Sequence, residues 1–376
     1  MTLRRFLSYV LVAAVSAAVA FALPRSPGKL EHLDNLISQR FIGESDRDAR
    51  LDAAANAMVL STGDRWSYYM SEEEYSLQKE QNANAFVGVG ITILKDDQGF
   101  RILEITPGSG AEAAGLIPED VLIEVDGQAV QEMELSAVRA LVKGKAGTTV
   151  NLGVKRDGNP LTFCVERRKI ETKVATYQMV SQNIGLIRIR NFDTRCAQET
   201  IAAIESALAS GAQQIVFDVR NNPGGYSSEL VAVLDYLLPE GELFRTISYD
   251  GKENVELSDA ACLDIPMAVL VNSRSYSAAE FFAAALQEYD AAIVVGEKTV
   301  GKGYFQVTYP LGDGSAVALS IGKYFTPKGV SLADVGITPD IEVSLSEQQN
   351  TALYSGTLPP EEDPCILRAL EALGCP

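Results

Sequence analysis

Histidine is almost absent from this sequence: His32 is the only one among 376 residues. A Ser-His-Asp triad, a Cys-His dyad and a multi-histidine zinc site would all have to recruit that one side chain. His32 lies in an early segment whose apolar residues recur at helical spacing, so we interpret it as a solvated helix position. If the protein performs acid-base chemistry, we therefore expect the base to be another type of residue.

Motifs that bind metals and phosphates are missing as well. The five cysteines include no CxxC pair, which disfavours a metal site or a thioredoxin-like centre. The phosphate-binding motif GxxxxGK[ST] is absent. The formal net charge of −18 argues against a nucleic-acid partner, because a polyanion would be repelled. The sequence therefore predicts no metal, no cofactor and no nucleic-acid partner.

The N-terminus has the pattern of an export segment. Arg4 and Arg5 precede an apolar run over residues 6–23. A basic start followed by such a run is typical of a signal peptide or an uncleaved signal anchor. We predict that residues 1–27 are a signal peptide or membrane anchor. The rest of the chain is then extracytoplasmic, in the periplasm or at the cell exterior, and either secreted or membrane-associated.

The hydrophobic pattern changes its period along the chain. Residues 28–83 are predicted to form an N-terminal helical segment, and residues 84–168 a β-rich module with two short helices. From 169 to 345, strand-like and helix-like runs alternate, which indicates an α/β core. Residues 346–376 are predicted to be a C-terminal tail, in which the acidic stretch 358–364 forms a surface connection to a last short helix.

Three loops of the α/β region each follow a predicted strand, and ligands of α/β sheets collect at the carboxyl ends of strands. The first loop, DVRNNPGG at 218–225, has paired glycines that expose backbone N–H groups; it is either an oxyanion hole or a plain turn. The second loop, NSRSYSAAE at 272–280, presents Ser277 just before a helix, where a hydroxyl can act as a nucleophile. The competing interpretation is a helix cap, because Ser277 and Glu280 fit a capping box.

The third loop, GEKTVGKGYFQ at 296–306, holds Lys302 between two glycines. Glycines on both sides let the backbone place the amine deep in a site, where desolvation disfavours the ammonium form and makes a lysine a usable general base. A serine hydroxyl is a poor nucleophile until such a base takes its proton. Gln306 is an amide able to hold the amine. The competing interpretation of Lys302 is a lysine on a surface hairpin.

At these residues the chain resembles the C-terminal processing peptidases, the Ser–Lys family of tail-specific proteases. The resemblance rests on motifs that occur in the family's order after the export segment: GDRWSYYM, FVGVGI, SGAEAAGL, DVLIEVDG, IGLIRIRNF, DVRNNPGG, SRSYSAAE, GEKTVGKGYFQ and GVSLADVGITPDIEV. It implies a multi-domain α/β fold: a crotonase-like peptidase core with an inserted β-rich PDZ domain and an N-terminal helical segment.

The resemblance also implies roles for individual residues. Ser277 corresponds to the nucleophile, Lys302 to the general base and Gln306 to the partner that orients the base. The sequence departs from the family at Tyr276, where a small residue is usual; this bears on the preference around the scissile bond.

Backbone groups complete the implied site. An N–H of Gly224 or Gly225 and the N–H of Ala278 would form the oxyanion hole. In the family, PDZ domains bind a polypeptide C-terminus by adding it as a strand. The residues expected to receive it here are Val87, Gly88, Val89, Gly90 and Ile91.

Two alternatives to a peptidase are left open by the sequence. One is a catalytically inactive PDZ-containing scaffold or C-terminus-binding protein, although the presence of Ser277, Lys302 and Gln306 together favours an enzyme. The other is a crotonase-type acyl-CoA enzyme, which the export signal disfavours because acyl-CoA substrates are cytosolic. Polypeptides with free C-termini are the expected partners, and a homo-oligomer or an adaptor protein is left open.

Overall fold

The computed structural model describes residues 28–374, and the chain divides into two compact units after Met70. Two helices and a short strand belong to the first unit: α1 (Lys29–Arg40), α2 (Arg47–Leu60) and β1 (Tyr68–Met70). The carboxylate of Asp34 is buried and accepts hydrogen bonds from the guanidinium groups of Arg47 and Arg50. This ion pair joins the two helices at their polar faces.

The segment predicted to direct export, residues 1–27, lies outside the described residues, as do residues 375–376. Between residues 28 and 374, no helix is both long enough and apolar enough to cross a membrane. The signal peptide or membrane anchor therefore stays a prediction.

The second unit begins with helix α3 (Glu72–Asn82), whose first turn is fixed by a capping box between Ser71 and Glu74. Strand β2 (Ala85–Gly88) follows and pairs antiparallel with β9 (Arg168–Glu171). These two strands lead into and out of the β-rich module, so the module is an insertion whose ends lie side by side.

The β-rich module contains the expected short strands and two short helices. Its elements are β3 (Ile91–Asp96), β4 (Gly99–Ile105), α4 (Gly110–Ala114), β5 (Val121–Val125), β6 (Gln128–Ala129), α5 (Leu135–Val142), β7 (Thr149–Arg156) and β8 (Asn159–Glu166). The sheet has the order β3-β4-β5-β7-β8, with β6 paired to β5. Its inner face buries a core that includes Phe100, Ile102, Leu122 and Leu152.

The α/β region forms two sheets and the helices that cover them. Its elements are β10 (Ala175–Met179), β11 (Ile184–Ile189), α6 (Cys196–Ala209), β12 (Gln214–Asp218), α7 (Ser227–Leu237), β13 (Gly241–Ser248), β14 (Glu253–Ser258), β15 (Met267–Val271), α8 (Ala278–Glu288), β16 (Ala292–Gly296), β17 (Tyr304–Pro310), β18 (Ala316–Phe325) and β19 (Ile341–Glu342). The main sheet has the order β10-β11-β12-β15-β16-β19 and is parallel except for β10. Strands β13, β14, β17 and β18 pair antiparallel in the other sheet.

Helix α8 is the most deeply buried helix of this core. Its residues from Ala278 to Leu286 are all buried, and Phe282 packs edge-on against Phe217 with 5.4 Å between ring centroids. A helix that is buried on every side is held by packing around its whole circumference. The turn that enters this helix is therefore fixed against the sheet.

The C-terminal tail contains α9 (Glu347–Ser355) and α10 (Pro364–Ala372). The acidic stretch before α10 is not only a surface connection, so that prediction was wrong at Asp363, which is 1% exposed. Asp363 begins α10 as its N-cap and binds the guanidinium of Arg220 at 2.7 Å, while Arg220 also binds Asp218. Burial alone would raise the pKa of Asp218, but the charges of Arg220 and Arg188 hold it below its usual value.

Candidate active site

The three loops singled out in the sequence leave the same edge of the main sheet. They follow β12, β15 and β16, which are neighbouring parallel strands. In the register of these strands, Asp218 lies opposite Leu270, and Leu270 lies opposite Val295. The carboxyl ends of the strands therefore bring the loops together, as expected for a ligand site in an α/β sheet.

The serine loop, residues 272–277, contains two serines with different surroundings. Ser275 is fully buried, and its hydroxyl donates to the carbonyl oxygen of Val219 at 2.7 Å. Ser277 is half-buried at the start of α8, with φ 59° and ψ −126°. This backbone conformation is uncommon for a residue with a side chain, and it lies outside the β region that N-cap residues usually adopt. Strain of this kind is found at functional sites.

The glycine loop, residues 221–225, packs directly against the serine turn. A Cβ atom on Gly224 would lie 2.8 Å from Cβ of Ser277 and 2.9 Å from the backbone nitrogen of Ala278. The two loops are also joined by a hydrogen bond of 3.1 Å from the Tyr276 N–H to the Asn222 carbonyl oxygen. Only a glycine at position 224 allows this close approach.

Two backbone donors beside Ser277 are available to a ligand. The Gly224 N–H donates to Oδ1 of Asn222 at 2.8 Å and is used within the loop. Among residues 28–374, no acceptor is found for the N–H of Gly225 or for that of Ala278. Of the two glycines left open by the sequence, Gly225 is therefore the one whose N–H is not used by another described residue.

The lysine loop, residues 297–303, reaches the serine turn from β16. Cβ atoms on Gly301 and Gly303 would lie 2.9 Å and 2.4 Å from the backbone nitrogens of Val335 and Ala333, so both glycines are needed for the path of the loop. The amine nitrogen of Lys302 lies 5.8 Å from the centroid of the Tyr276 ring. Since Tyr276 directly precedes Ser277, this contact brings the amine to the region of the serine.

Gln306 lies on β17, the strand that follows the lysine loop. Its Nε2 donates to Oγ of Ser320 at 3.0 Å and to the carbonyl oxygen of Tyr304 at 3.2 Å. These bonds fix the orientation of the amide. Its role toward Lys302 stays a prediction.

The carboxylate of Glu280, which fits a helix cap in the sequence, connects the serine and lysine loops. Glu280 is fully buried, and it accepts hydrogen bonds from the backbone N–H groups of Ser277, Gly301 and Lys302. Ser277 belongs to the serine loop, whereas Gly301 and Lys302 belong to the lysine loop, more than 20 positions later in the sequence. The signal in the sequence was one glutamate among the otherwise apolar residues 278–286, a position where a charge needs partners.

A groove of about 300 Å³ runs along the β-rich module. It is lined by residues 86–93 and by Arg139, Val142 and Lys143 at the end of α5. All five predicted peptide-binding residues, 87 to 91, lie in this lining. Arg139 and Lys143 are exposed, and neither forms an ion pair with another residue between 28 and 374. The groove therefore combines apolar walls with positive charge.

The carboxyl group of Asp193, near the glycine loop, has a raised pKa. Asp193 follows Phe192, whose backbone pairs with Gly225. Burial, and then the charge of Glu229, raise the pKa of Asp193 to about 7. Asp193 thus changes its charge near neutral pH, and it does so next to a loop of the candidate site.

This carboxyl group predicts a pH dependence of stability. In the unfolded chain Asp193 ionises near 3.8, but in the folded protein only near 7, so stability falls as the pH rises between these values and then levels off. We expect Asp193→Asn to be more stable than the wild type at pH 8, by about 1–3 kcal/mol, and equally stable at pH 4. Urea denaturation at both pH values measures this, with the exposed Asp97→Asn as the control. A variant that keeps the wild-type pH dependence would contradict the assignment.

Comparison with known proteins identifies the family. Residues 183–343 match peptidase family S41, and residues 87–166 match the PDZ domain. The chain is 32% identical over 322 residues to the carboxy-terminal processing protease CtpA of Bacillus subtilis, which covers 85% of this chain and 69% of that protein. It is also 32% identical over 329 residues to a CtpA-like serine protease of Staphylococcus haemolyticus, covering 86% of this chain and 66% of that one.

A solved structure agrees with this result. The photosystem II D1 C-terminal processing protease is 26% identical, with a TM-score of 0.52, and the match covers 91% of this chain and 93% of that one. The chain spans about two thirds of the length of the two curated relatives.

The chain belongs to peptidase family S41, and it is a serine-type peptidase with a PDZ domain. The resemblance read from the motifs is confirmed, as is the multi-domain α/β fold with an inserted PDZ domain. A protease of this family acts on polypeptides. The catalytic roles of individual residues stay predictions.

Proposed function

We propose that this protein is an endopeptidase that binds polypeptide C-termini in its PDZ groove and cuts peptide bonds near them with a Ser277–Lys302 pair. The names of the relatives, which describe carboxy-terminal processing, support the substrate class. One observation carries the catalytic part: Gly224 packs against Ser277 and Ala278, beside two backbone N–H donors that have no acceptor among the described residues. The inactive-scaffold alternative has no observation in its favour.

The proposed reaction starts with a proton transfer. The neutral amine of Lys302 takes the proton of the Ser277 hydroxyl while Oγ attacks the peptide carbonyl carbon. The tetrahedral intermediate collapses, the C–N bond breaks, and the leaving amine receives the proton from Lys302. Water then hydrolyses the acyl-enzyme by the same proton route, which restores the Ser277 hydroxyl. No proton is gained or lost over the cycle beyond those of the water that is consumed.

The negative charge of the intermediate falls on the former carbonyl oxygen. The N–H groups of Gly225 and Ala278 are the proposed donors to this oxygen, and the first turn of α8 adds the positive end of its helix dipole. Gly224 is proposed to hold the loop against the nucleophile rather than to donate. Gln306 is proposed to orient Lys302 from β17.

The PDZ groove is proposed to capture the free C-terminus as an added strand along β3. Residues 87–90 would receive the terminal carboxylate, and Arg139 and Lys143 would attract it electrostatically. An apolar wall that includes Val142 would bind the last side chain. Binding the tail in this way supplies binding energy remote from the scissile bond.

The capture of the carboxylate predicts a difference between free and amidated substrates. We expect a peptide with a free C-terminus to be cleaved with a kcat/KM at least about tenfold higher than the same peptide with a C-terminal amide, a difference of about 1.4 kcal/mol. The double variant Arg139→Glu, Lys143→Glu should reduce this ratio, because its groove repels a carboxylate. Lys145→Glu, just beyond the groove, is the control. Equal rates for both peptides would contradict recognition of the C-terminus.

We also propose an extracytoplasmic location, with residues 1–27 acting as a signal peptide or membrane anchor. The basic and apolar pattern of that segment supports this. A homo-oligomer or an adaptor protein that presents substrates is compatible with the proposal.

A further inference from the structure

We infer that Glu280 is a positioning residue that sets the distance between the nucleophile turn and the lysine loop. The inference rests on the proposed Ser277–Lys302 chemistry, and it assigns the alignment of that pair to one buried carboxylate. In the sequence, Glu280 reads as a helix cap. The structure gives it contacts well beyond its own helix.

Four donors converge on the Glu280 carboxylate. Oε2 accepts from the N–H of Ser277 at 3.0 Å and from the N–H of Lys302 at 2.8 Å. Oε1 accepts from the N–H of Gly301 at 2.7 Å and from the hydroxyl of Thr299 at 2.5 Å. A single oxygen atom, Oε2, therefore binds the backbone of both proposed catalytic residues.

Only a carboxylate satisfies this arrangement. Three of the four donors are backbone N–H groups, which cannot accept. The fourth is the Thr299 hydroxyl, which accepts from the N–H of Ile337 at 2.7 Å and donates to Oε1 of Glu280. Each oxygen of Glu280 accepts from at least one backbone N–H, so a glutamine at position 280 would turn its NH₂ group toward at least one N–H and leave it without an acceptor in a fully buried place.

The two ends of this connection differ in what else holds them. Ser277 enters α8, which is buried on all sides and fixed by packing. The lysine loop packs against residues 333–337, where the Asp334 N–H donates to the Gly301 carbonyl oxygen at 2.9 Å. Its one further backbone hydrogen bond to the serine loop, from the Val300 N–H to the Ser275 carbonyl oxygen, is a long one at 3.3 Å. The carboxylate is thus the short connection through which α8 positions the backbone of Lys302.

This position matters for catalysis because proton transfer needs the hydroxyl and the amine within hydrogen-bond reach. A displacement of about 1 Å between reacting groups can lower a rate by about 100-fold. A shift of the lysine loop would leave the PDZ groove and the polypeptide contacts made elsewhere in the chain unchanged. The role therefore predicts an effect on kcat rather than on KM.

The experiment compares Glu280→Gln with the wild type and with Glu199→Gln. Glu199, on α6, is the control: its carboxylate also accepts backbone N–H groups, those of Val174 and Ala175, and neither these bonds nor its ion pair with Arg195 involve the serine or lysine loop. We expect kcat of Glu280→Gln to fall about 100-fold with KM changed less than about threefold. Glu199→Gln should keep the wild-type kcat. Circular dichroism and thermal unfolding of both variants report whether they fold.

Thr299→Val is the second variant and keeps the inference testable if Glu280→Gln does not fold. It removes one of the four donors, together with the acceptor of the Ile337 N–H, and leaves the carboxylate, so kcat should fall about 3- to 10-fold at unchanged KM. A folded Glu280→Gln with kcat within twofold of the wild type would overturn the inference, as would a Thr299→Val variant with wild-type kcat. Ser277→Ala, assayed in parallel, separates the two levels: if it cleaves like the wild type, the proposed function fails, whatever Glu280→Gln does.

Discussion

Ser277→Ala is expected to lower kcat/KM for an unfolded polypeptide by about 10⁴-fold or more, because no other hydroxyl can replace the nucleophile. The variant should remain folded, since Ser277 is half-buried and its N–H bond to Glu280 uses only the backbone. Activity is measured by the appearance of new peptide termini, and folding by circular dichroism. Cleavage at the wild-type rate would exclude Ser277 as the nucleophile.

Ser275→Ala is the matched control for this experiment. The hydroxyl of Ser275 donates to the Val219 carbonyl oxygen and accepts from the Asn272 N–H, so it holds two loops together inside the core. Its removal should destabilise the protein by about 1–3 kcal/mol, while the folded fraction still forms the acyl-enzyme. The two variants are thus expected to differ: Ser277→Ala loses acylation, whereas Ser275→Ala loses stability.

Lys302→Ala is expected to have the second largest effect, a fall in kcat of about 10³- to 10⁴-fold. Without the amine, the Ser277 hydroxyl loses the base that is proposed to take its proton. The variant's residual cleavage should rise with hydroxide concentration, because hydroxide can replace a missing base. Cleavage by Lys302→Ala is compared with cleavage by the wild type from pH 6 to pH 10.

Lys298→Ala is the control for charge, because Lys298 is an exposed lysine on the same loop. It removes the same positive charge and should leave kcat within about twofold of the wild type. If Lys302→Ala kept full activity, or if both lysine variants lost activity equally, the general-base assignment would be wrong.

The fold was largely predictable because its signals are local. Alternation of apolar residues and glycine turns predicted the β-rich module, and alternating strands and helices predicted the α/β core. The order of the loops after β12, β15 and β16 then placed the candidate site at one sheet edge. Each of these inferences depends on residues that are close together in the chain.

The contacts that could not be predicted join residues far apart in sequence. The ion pair between Arg220 and Asp363 spans 143 positions, and an acidic, proline-containing stretch gives no sign of its partner. Glu280 has the same difficulty: its cap position explains the bond to Ser277, but its bonds to Gly301 and Lys302 depend on how the lysine loop folds back. The local sequence pattern predicts that a buried charged residue needs hydrogen-bond partners, but it does not identify those partners.

The sequence also does not distinguish between the two glycines of the first loop as hydrogen-bond donors. The motif left Gly224 and Gly225 as equal candidates for the oxyanion hole. The distinction depends on Asn222, whose side chain takes the Gly224 N–H and leaves that of Gly225. The backbone angles decide which N–H group the Asn222 side chain accepts from. Here φ is 90° at Gly224 and 151° at Gly225, and the identity of the residues does not predict these angles.

The most direct test of the central claim is the mass of the enzyme during turnover. Wild-type protein is mixed with a peptide substrate, quenched in acid within the first turnover, digested and analysed by mass spectrometry. The account predicts an added acyl group on the fragment that carries Ser277, formed much more slowly in Lys302→Ala. Turnover without any covalent adduct, or an adduct on a fragment with another nucleophile, would contradict it.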